Sequence, residues 1–249
     1  MPLPKWEIAL QHLSPAQREQ IHARLRTVAL AARKPLFRQG DPSDSLVVVR
    51  KGRVRLYAGT ESGEEFTLGV MDSGRILGLA AAILGRPRLL SAESIDAVEA
   101  DILPLSDLRH CMDTIPQFAQ NVMQLLATLA AETLAGIVPV ALDSAVVRLG
   151  TILLALGAAA DDEPHGTGLL VSGLTHEDLA KMVGATRTWV SVTLGAMERQ
   201  QLIAKKKRSI AILDRERLAS HIDAQRNRYS SARAPAAEAG YLPLPSTPD

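Results

Sequence analysis

Residues 174–213 read LTHEDLAKMVGATRTWVSVTLGAMERQQLIAKKKRSIAIL. The stretch divides into two short helices, a glycine turn and a basic β-hairpin, the pattern of a winged helix-turn-helix. Thr175 followed by Asp178 opens the first helix like a capping box. Leu179, Ala180 and Val183 give it a short apolar face, and the small Ala180 lets a second helix cross close by. Gly184 supplies the turn, where a left-handed backbone costs little. The second helix is expected from about Arg187 to Arg199, with Val190, Leu194 and Met197 as its inner stripe at i, i+4 and i+7.

At roughly 100° per residue, Thr188, Val192, Gly195 and Arg199 lie opposite that stripe, with Ser191 beside them. Arg187 opens the exposed first turn, where a guanidinium can fork a guanine edge. Lys205, Lys206, Lys207 and Arg208 then precede the alternating Ile210 and Ile212, a cationic hairpin suited to phosphates. The expected DNA-facing set is Thr175, Thr186, Arg187, Thr188, Ser191, Val192, Arg199, Lys205, Lys206, Lys207 and Arg208.

The rest of the chain bounds what surrounds this unit. Its 249 residues allow one or two domains, and 47% hydrophobic content supports a real core. Net charge is +1, so DNA affinity must come from local patches. Cys111 is the single cysteine, which excludes an intramolecular disulfide and fits a reducing, cytoplasmic setting. No histidine pair has metal-ligand spacing, and no nucleophile elbow, P-loop or dinucleotide fingerprint appears, so neither a metal site nor an enzyme is expected. Residues 125–142, LLATLAAETLAGIVPVAL, are apolar enough to suggest a membrane span. Glu132 near the centre and Pro139 argue against it, and a helix buried partly against a second copy is preferred.

Organisation follows from the changes of pattern. Ser14-Pro15 opens a helix through Leu25. From about Ala31 to Leu105, short runs such as SLVVV, VRLYA and FTLGVM alternate with Gly, Asp and Ser turns, which predicts a double-sheet β-roll. Ser106 is expected to cap a short helix, Pro116 to open a long one, and Asp143 to begin another. The stretch AAADDEPHGTG at 158–168 reads as a linker-like loop. The fold expected is α+β. A β-roll sensor spans 1–115, a dimerisation helix 116–141 and a winged helix-turn-helix 142–220; 221–249 form a disordered tail, clearest from Tyr229.

These pieces, in this order, resemble the cyclic-AMP receptor protein/fumarate-nitrate regulator (Crp/Fnr) family of bacterial transcription factors. The residues that carry the likeness are LFRQGDPSDSLVVVRKGRVRL at 36–56, ILGLAAAILGRPR at 76–88, ALDSAVVRLGTILLAL at 141–156 and LTHEDLAKMVGATRTWVSVTL at 174–194. The resemblance implies a homodimer through the long helix, Asp143 near the hinge, double-stranded DNA with a two-fold palindromic operator, RNA polymerase as a partner, and an effector in the β-roll.

Two departures matter. Cyclic-nucleotide-binding members supply a Gly-Glu pair for the ribose and an Arg-Ser or Arg-Thr pair for the phosphate. Here the first pair reads Gly78-Leu79, and Arg88 is followed by Leu89, with Ser91 further on. Gly78, Leu79, Arg86, Arg88, Ser91 and, on the long helix, Thr133 are the candidate effector residues, for a nucleotide-like effector other than cyclic AMP in its usual mode. On the DNA side, the family's Arg-Glu pair and following Arg read Arg187, Thr188 and Val192, so a different operator sequence is implied. The oxygen-sensing branch's cysteine cluster is missing, and Pro2, His110 and Cys111 form no haem motif. An effector-responsive regulator and a constitutive one, whose β-roll serves dimerisation and polymerase contact, both remain open.

Overall fold

A computed structural model describes residues 5–60, 63–158, 169–206 and 209–237. Most of the 158–168 loop, Lys207, Arg208 and the last twelve positions, for which sequence expectations were stated, lie outside the described residues.

Helix α1 (Trp6–Ala9) and helix α2 (Pro15–His22) lead the chain. Ser14 caps α2 in a full capping box with Gln17, and the helix stops at His22, short of the expected Leu25. Eight strands follow: β1 (Arg26–Leu30), β2 (Pro35–Phe37), β3 (Ser45–Lys51), β4 (Val54–Gly59), β5 (Glu65–Met71), β6 (Ile76–Leu77), β7 (Ser91–Ser94) and β8 (Val98–Pro104), with helix α3 (Leu79–Leu84) between β6 and β7. They form two antiparallel four-stranded sheets, β1-β8-β3-β6 and β2-β7-β4-β5. Val47, Val49, Val54, Leu77, Val98 and Ala100 close the space between them. This is the β-roll that the regular short strands predicted.

Helix α4 (Leu105–Thr114) begins straight after Pro104, not at Ser106. Its first amide, Leu105 N–H, donates to the Asp44 carbonyl, so a loop oxygen takes the place of the expected serine cap. The 27-residue helix α5 (Pro116–Leu142) follows. Phe118, Val122 and Leu125 are buried under the β-roll, and Asn121 donates to the Ala9 and Gln11 carbonyls. Met123, Leu134 and Leu142 are instead more than half exposed. No helix among the described residues is long and apolar enough to cross a membrane.

The C-terminal unit contains helix α6 (Ala145–Ala158), strand β9 (Leu169–Ser172), helices α7 (His176–Val183) and α8 (Arg187–Arg199), strands β10 (Ile203–Lys206) and β11 (Ser209–Ile212), and helix α9 (Arg215–Ala237). The wing is a three-stranded sheet, β10-β11-β9. β9 did not stand out in the sequence.

The expected disordered tail from 221 is corrected by α9, which runs to Ala237. Leu218 and Ile222, one turn apart, are buried with α6 residues in one core. Gly150 makes that contact possible, since a Cβ there would lie 2.6 Å from Ile222 Cγ1. Arg226 then forks Asp143, Nε and Nη2 each at 3.0 Å, and ties the helix to the segment between α5 and α6. Local composition suggested disorder; two apolar anchors and one ion pair order this part.

Candidate nucleic-acid interface and sensor pocket

The interface begins with two helix starts. Asp178 N–H donates to Thr175 Oγ1 at 3.1 Å, and Thr175 N–H donates back to Asp178 Oδ2 at 2.8 Å. Thr186 Oγ1 accepts from Trp189 N–H at 3.2 Å and caps α8. Thr175 and Thr186, both expected to face DNA, therefore use their hydroxyls to set the helices. Gly184 ends α7 at φ 68°, and Leu179, Ala180 and Val183 meet Val190, Leu194 and Met197, all buried.

With its inner stripe buried, α8 presents Arg187, Thr188, Val192 and Arg199 to solvent. Val192 is 65% exposed amid polar neighbours, so its isopropyl group is free for apolar contact. Trp189 is half-buried against the helical core, and Thr193 donates to the Trp189 carbonyl at 2.9 Å. Ser191 is also turned inward in part: its Oγ lies 2.8 Å from His176 Nδ1.

The wing and α8 are joined by Glu198. Its carboxylate accepts from Lys205 N–H at 2.9 Å and pairs with Lys205 Nζ at 2.9 Å. Lys205 is thus partly neutralised, while Lys206 stands exposed. Between the start of α7 and the wing lies a cleft of about 530 Å³ whose charged and polar lining includes Arg33, Thr175, His176, Lys205, Lys206 and Ser209. His176 was missed in the sequence, because its partner is fifteen residues away on another helix. Burial, then Lys205 and Arg187, push its imidazole below the usual histidine range.

The unit is docked on the β-roll. Arg33 reaches Asp178 Oδ1 at 3.2 Å and Oδ2 at 2.9 Å, and the Gly173 carbonyl at 3.1 Å. Glu65 accepts from both Arg55 (2.8 Å) and Lys181 (3.0 Å), linking β4, β5 and α7. Burial pushes the Asp178 carboxyl up, but hydrogen bonds from Arg33 and Thr175 outweigh it and hold the group at about 2.

In the β-roll, the candidate effector residues separate. Arg88 is 4% exposed; its Nη2 donates to Ser45 Oγ at 3.1 Å, and its guanidinium lies 4.3 Å from the Phe37 ring centroid. Its Nε and Nη1 are buried without a hydrogen-bond partner. Burial lowers its pKa, with Asp44 and Asp41 opposing. Gly78, at φ 81°, lies directly against Arg88, where any Cβ would overlap Nη1. Leu79 is buried, and the Ser91 hydroxyl accepts from Gln39 N–H at 2.9 Å. Arg86 is exposed. Thr133 is also exposed and donates to the Leu129 carbonyl at 2.7 Å, so its hydroxyl is held on its own helix. Two guanidinium nitrogens of Arg88 thus lack a hydrogen-bond partner among the described residues, and Leu79 offers no carboxylate to a ribose. Cys111 is buried in the core, with its thiol pushed up by burial. Among the described residues, no three His, Cys, Asp or Glu side chains gather to hold a metal.

Comparison with known proteins follows the same division. Residues 27–114 match the cyclic nucleotide-binding domain, and residues 147–221 match the Crp-like helix-turn-helix domain. The chain is 25% identical, over 84% of its own length and 93% of the relative's, to the CRP-like cAMP-activated global transcriptional regulator of Mycobacterium tuberculosis. It is 27% identical to the global nitrogen regulator of Synechococcus elongatus, over 73% and 82% of the two chains. A solved CRP/FNR-family transcriptional regulator from Thermus thermophilus superposes with a TM-score of 0.68 at 26% identity, covering 80% of this chain and all of that one.

Proposed function

The chain belongs to the Crp/Fnr family of DNA-binding transcription regulators, and from that premise we propose a homodimer that reads a palindromic operator through α8 and is controlled by a small anionic effector at Arg88. The observation that carries the DNA reading is the outer face of α8. Arg187, Thr188 and Val192 are free while the inner stripe is buried, and exposed Lys206 stands in the adjoining wing. Arg187 forks a guanine edge, Val192 meets a thymine methyl, and Lys206, with Lys207 and Arg208, follows phosphates.

The second copy covers α5. Met123, Leu134 and Leu142 are exposed at 60%, 67% and 55% on a helix whose Phe118, Val122 and Leu125 side is already buried under the β-roll. The two unpartnered nitrogens of Arg88 support an anionic effector, and buried Leu79 argues against cyclic AMP in its usual pose. A second reading has a specific basis: Ser45 and Phe37 already hold Arg88, as they would in a β-roll that binds nothing, serving dimerisation and RNA polymerase contact. Calorimetry against cyclic nucleotides and simple phosphate esters separates the two. Saturable binding lost in Arg88→Ala supports the effector; no heat with any of them supports the constitutive regulator.

A further inference from the structure

His176 opens α7 on the side of the cleft facing the wing, and its Nδ1 is already occupied by Ser191 Oγ at 2.8 Å. No hydrogen bond involves Nε2 among the described residues. The groups around the ring are mostly cationic. Arg187 comes from α8, Lys205 and Lys206 from β10, and Arg33 from the turn between β1 and β2. The nearby carboxylates are engaged with these cations: Asp178 with Arg33, Glu198 with Lys205. Glu177, exposed beside His176 on α7, is the remaining acidic neighbour in sequence. β11 contributes the uncharged Ser209 and Ile210. Burial and these cations disfavour the imidazolium form.

A phosphodiester entering the cleft reverses that balance. It brings one negative charge into a cleft lined by Arg33, Lys205 and Lys206, between the start of α7 and the wing. The cation repulsion is offset, and imidazolium gains a charged acceptor for Nε2–H. We propose that His176 is a proton-taking contact for a DNA backbone phosphate, so that the protein holds DNA more tightly as pH falls. Ser191 Oγ orients the ring for this, accepting from Nδ1–H once the imidazolium forms. The inference rests on the DNA-binding reading and adds to it a residue and a linked proton.

The sign follows from linkage. Free His176 titrates below the usual range, and a phosphate raises it, so binding takes up a proton in the window between those two values. The affinity of wild-type protein for a fixed duplex is measured from pH 6 to 8 at constant ionic strength, beside His176→Gln. Wild type is expected to tighten by several-fold to about tenfold per pH unit for each engaged chain, the limit for one linked proton. His176→Gln, which cannot titrate, should lose most of that slope. Calorimetry of the unmutated protein, in two buffers of different ionisation enthalpy, should report about one proton taken up per chain. In proton NMR, the His176 ring should shift toward imidazolium with duplex, but not with inorganic phosphate at the same concentration. A flat wild-type profile, an unchanged slope in His176→Gln, or an equal shift with inorganic phosphate overturns the proposal. Binding that is present yet pH-independent sinks only this inference, whereas no binding at any pH sinks the DNA reading itself.

Discussion

Arg33 and Asp178 are 145 positions apart in the chain and face each other as a two-pronged ion pair, at 2.9 and 3.2 Å. Arg33 sits in the turn between two strands of the β-roll with φ at 60°, an uncommon conformation for a non-glycine residue. Asp178 closes the capping box of the first helix of the DNA-binding unit. One carboxylate therefore both starts that helix and docks it on the β-roll.

Protonation should undo that contact. The Asp178 carboxyl is held at about 2, against an ordinary 3.8, so its contribution is fully present above pH 4 and is lost as pH falls toward 2. The shift corresponds to about 2 kcal/mol, shared between Arg33 and the Thr175 cap. Arg33→Ala should leave α7 folded but speed amide exchange in its first turn at neutral pH. Unchanged exchange would mean that the docking contact contributes nothing in solution.

The helix and the wing should fail differently when mutated. Lys206→Ala should weaken specific and non-specific duplexes alike and lower the salt slope by about one. Arg187→Ala should cost about 1–3 kcal/mol on the cognate duplex only. Both are read by anisotropy across a salt series. An equal loss of Arg187→Ala on cognate and scrambled DNA would make Arg187 a phosphate clamp and move base reading to Thr188 and Val192.

Truncating the anchors of α9 should destabilise the C-terminal unit, not merely trim a tail. Ile222→Ala removes a side chain seated on Gly150 and should cost about 2–5 kcal/mol. Arg226→Ala leaves Asp143, whose side chain is 9% exposed, without its fork and should cost about 1–3 kcal/mol. Thermal melts test both. A melting temperature unchanged in Ile222→Ala would return this segment to the status of a dispensable tail.

Gly78→Ala should be far more damaging than its one carbon suggests. The added Cβ overlaps Arg88 Nη1 and must adopt φ near 81°. Arg88 would have to leave its place over Phe37. Any anion binding in the β-roll should disappear with it, measured by calorimetry against the ligand that wild type retains.

The helix-turn-helix was legible because its determinants are local. The Thr175–Asp178 box, the Gly184 turn and the 190/194/197 stripe all lie within the reach of one or two helical turns. The β-roll was legible for a similar reason, through the rhythm of short apolar runs and turns. What the sequence hid depends on distant partners. Ser191 meets His176 on another helix, a contact no local pattern announces. Arg33 carried no local mark of its role. α9 was hidden because polar residues surround its two anchors, and composition averaged over the tail outweighed Leu218 and Ile222.

The central claim is that two copies of this chain read a two-fold DNA sequence through α8. Selection of binding sites from a pool of random duplexes, with the bound stoichiometry measured by light scattering, tests it most directly. The account predicts an enriched palindrome with half-sites about one helical turn apart, roughly 10–10.5 base pairs centre to centre. It predicts two chains per duplex and loss of enrichment at one position per half-site in Arg187→Ala. A pool that shows no enrichment, or a single asymmetric site bound by one chain, would contradict it.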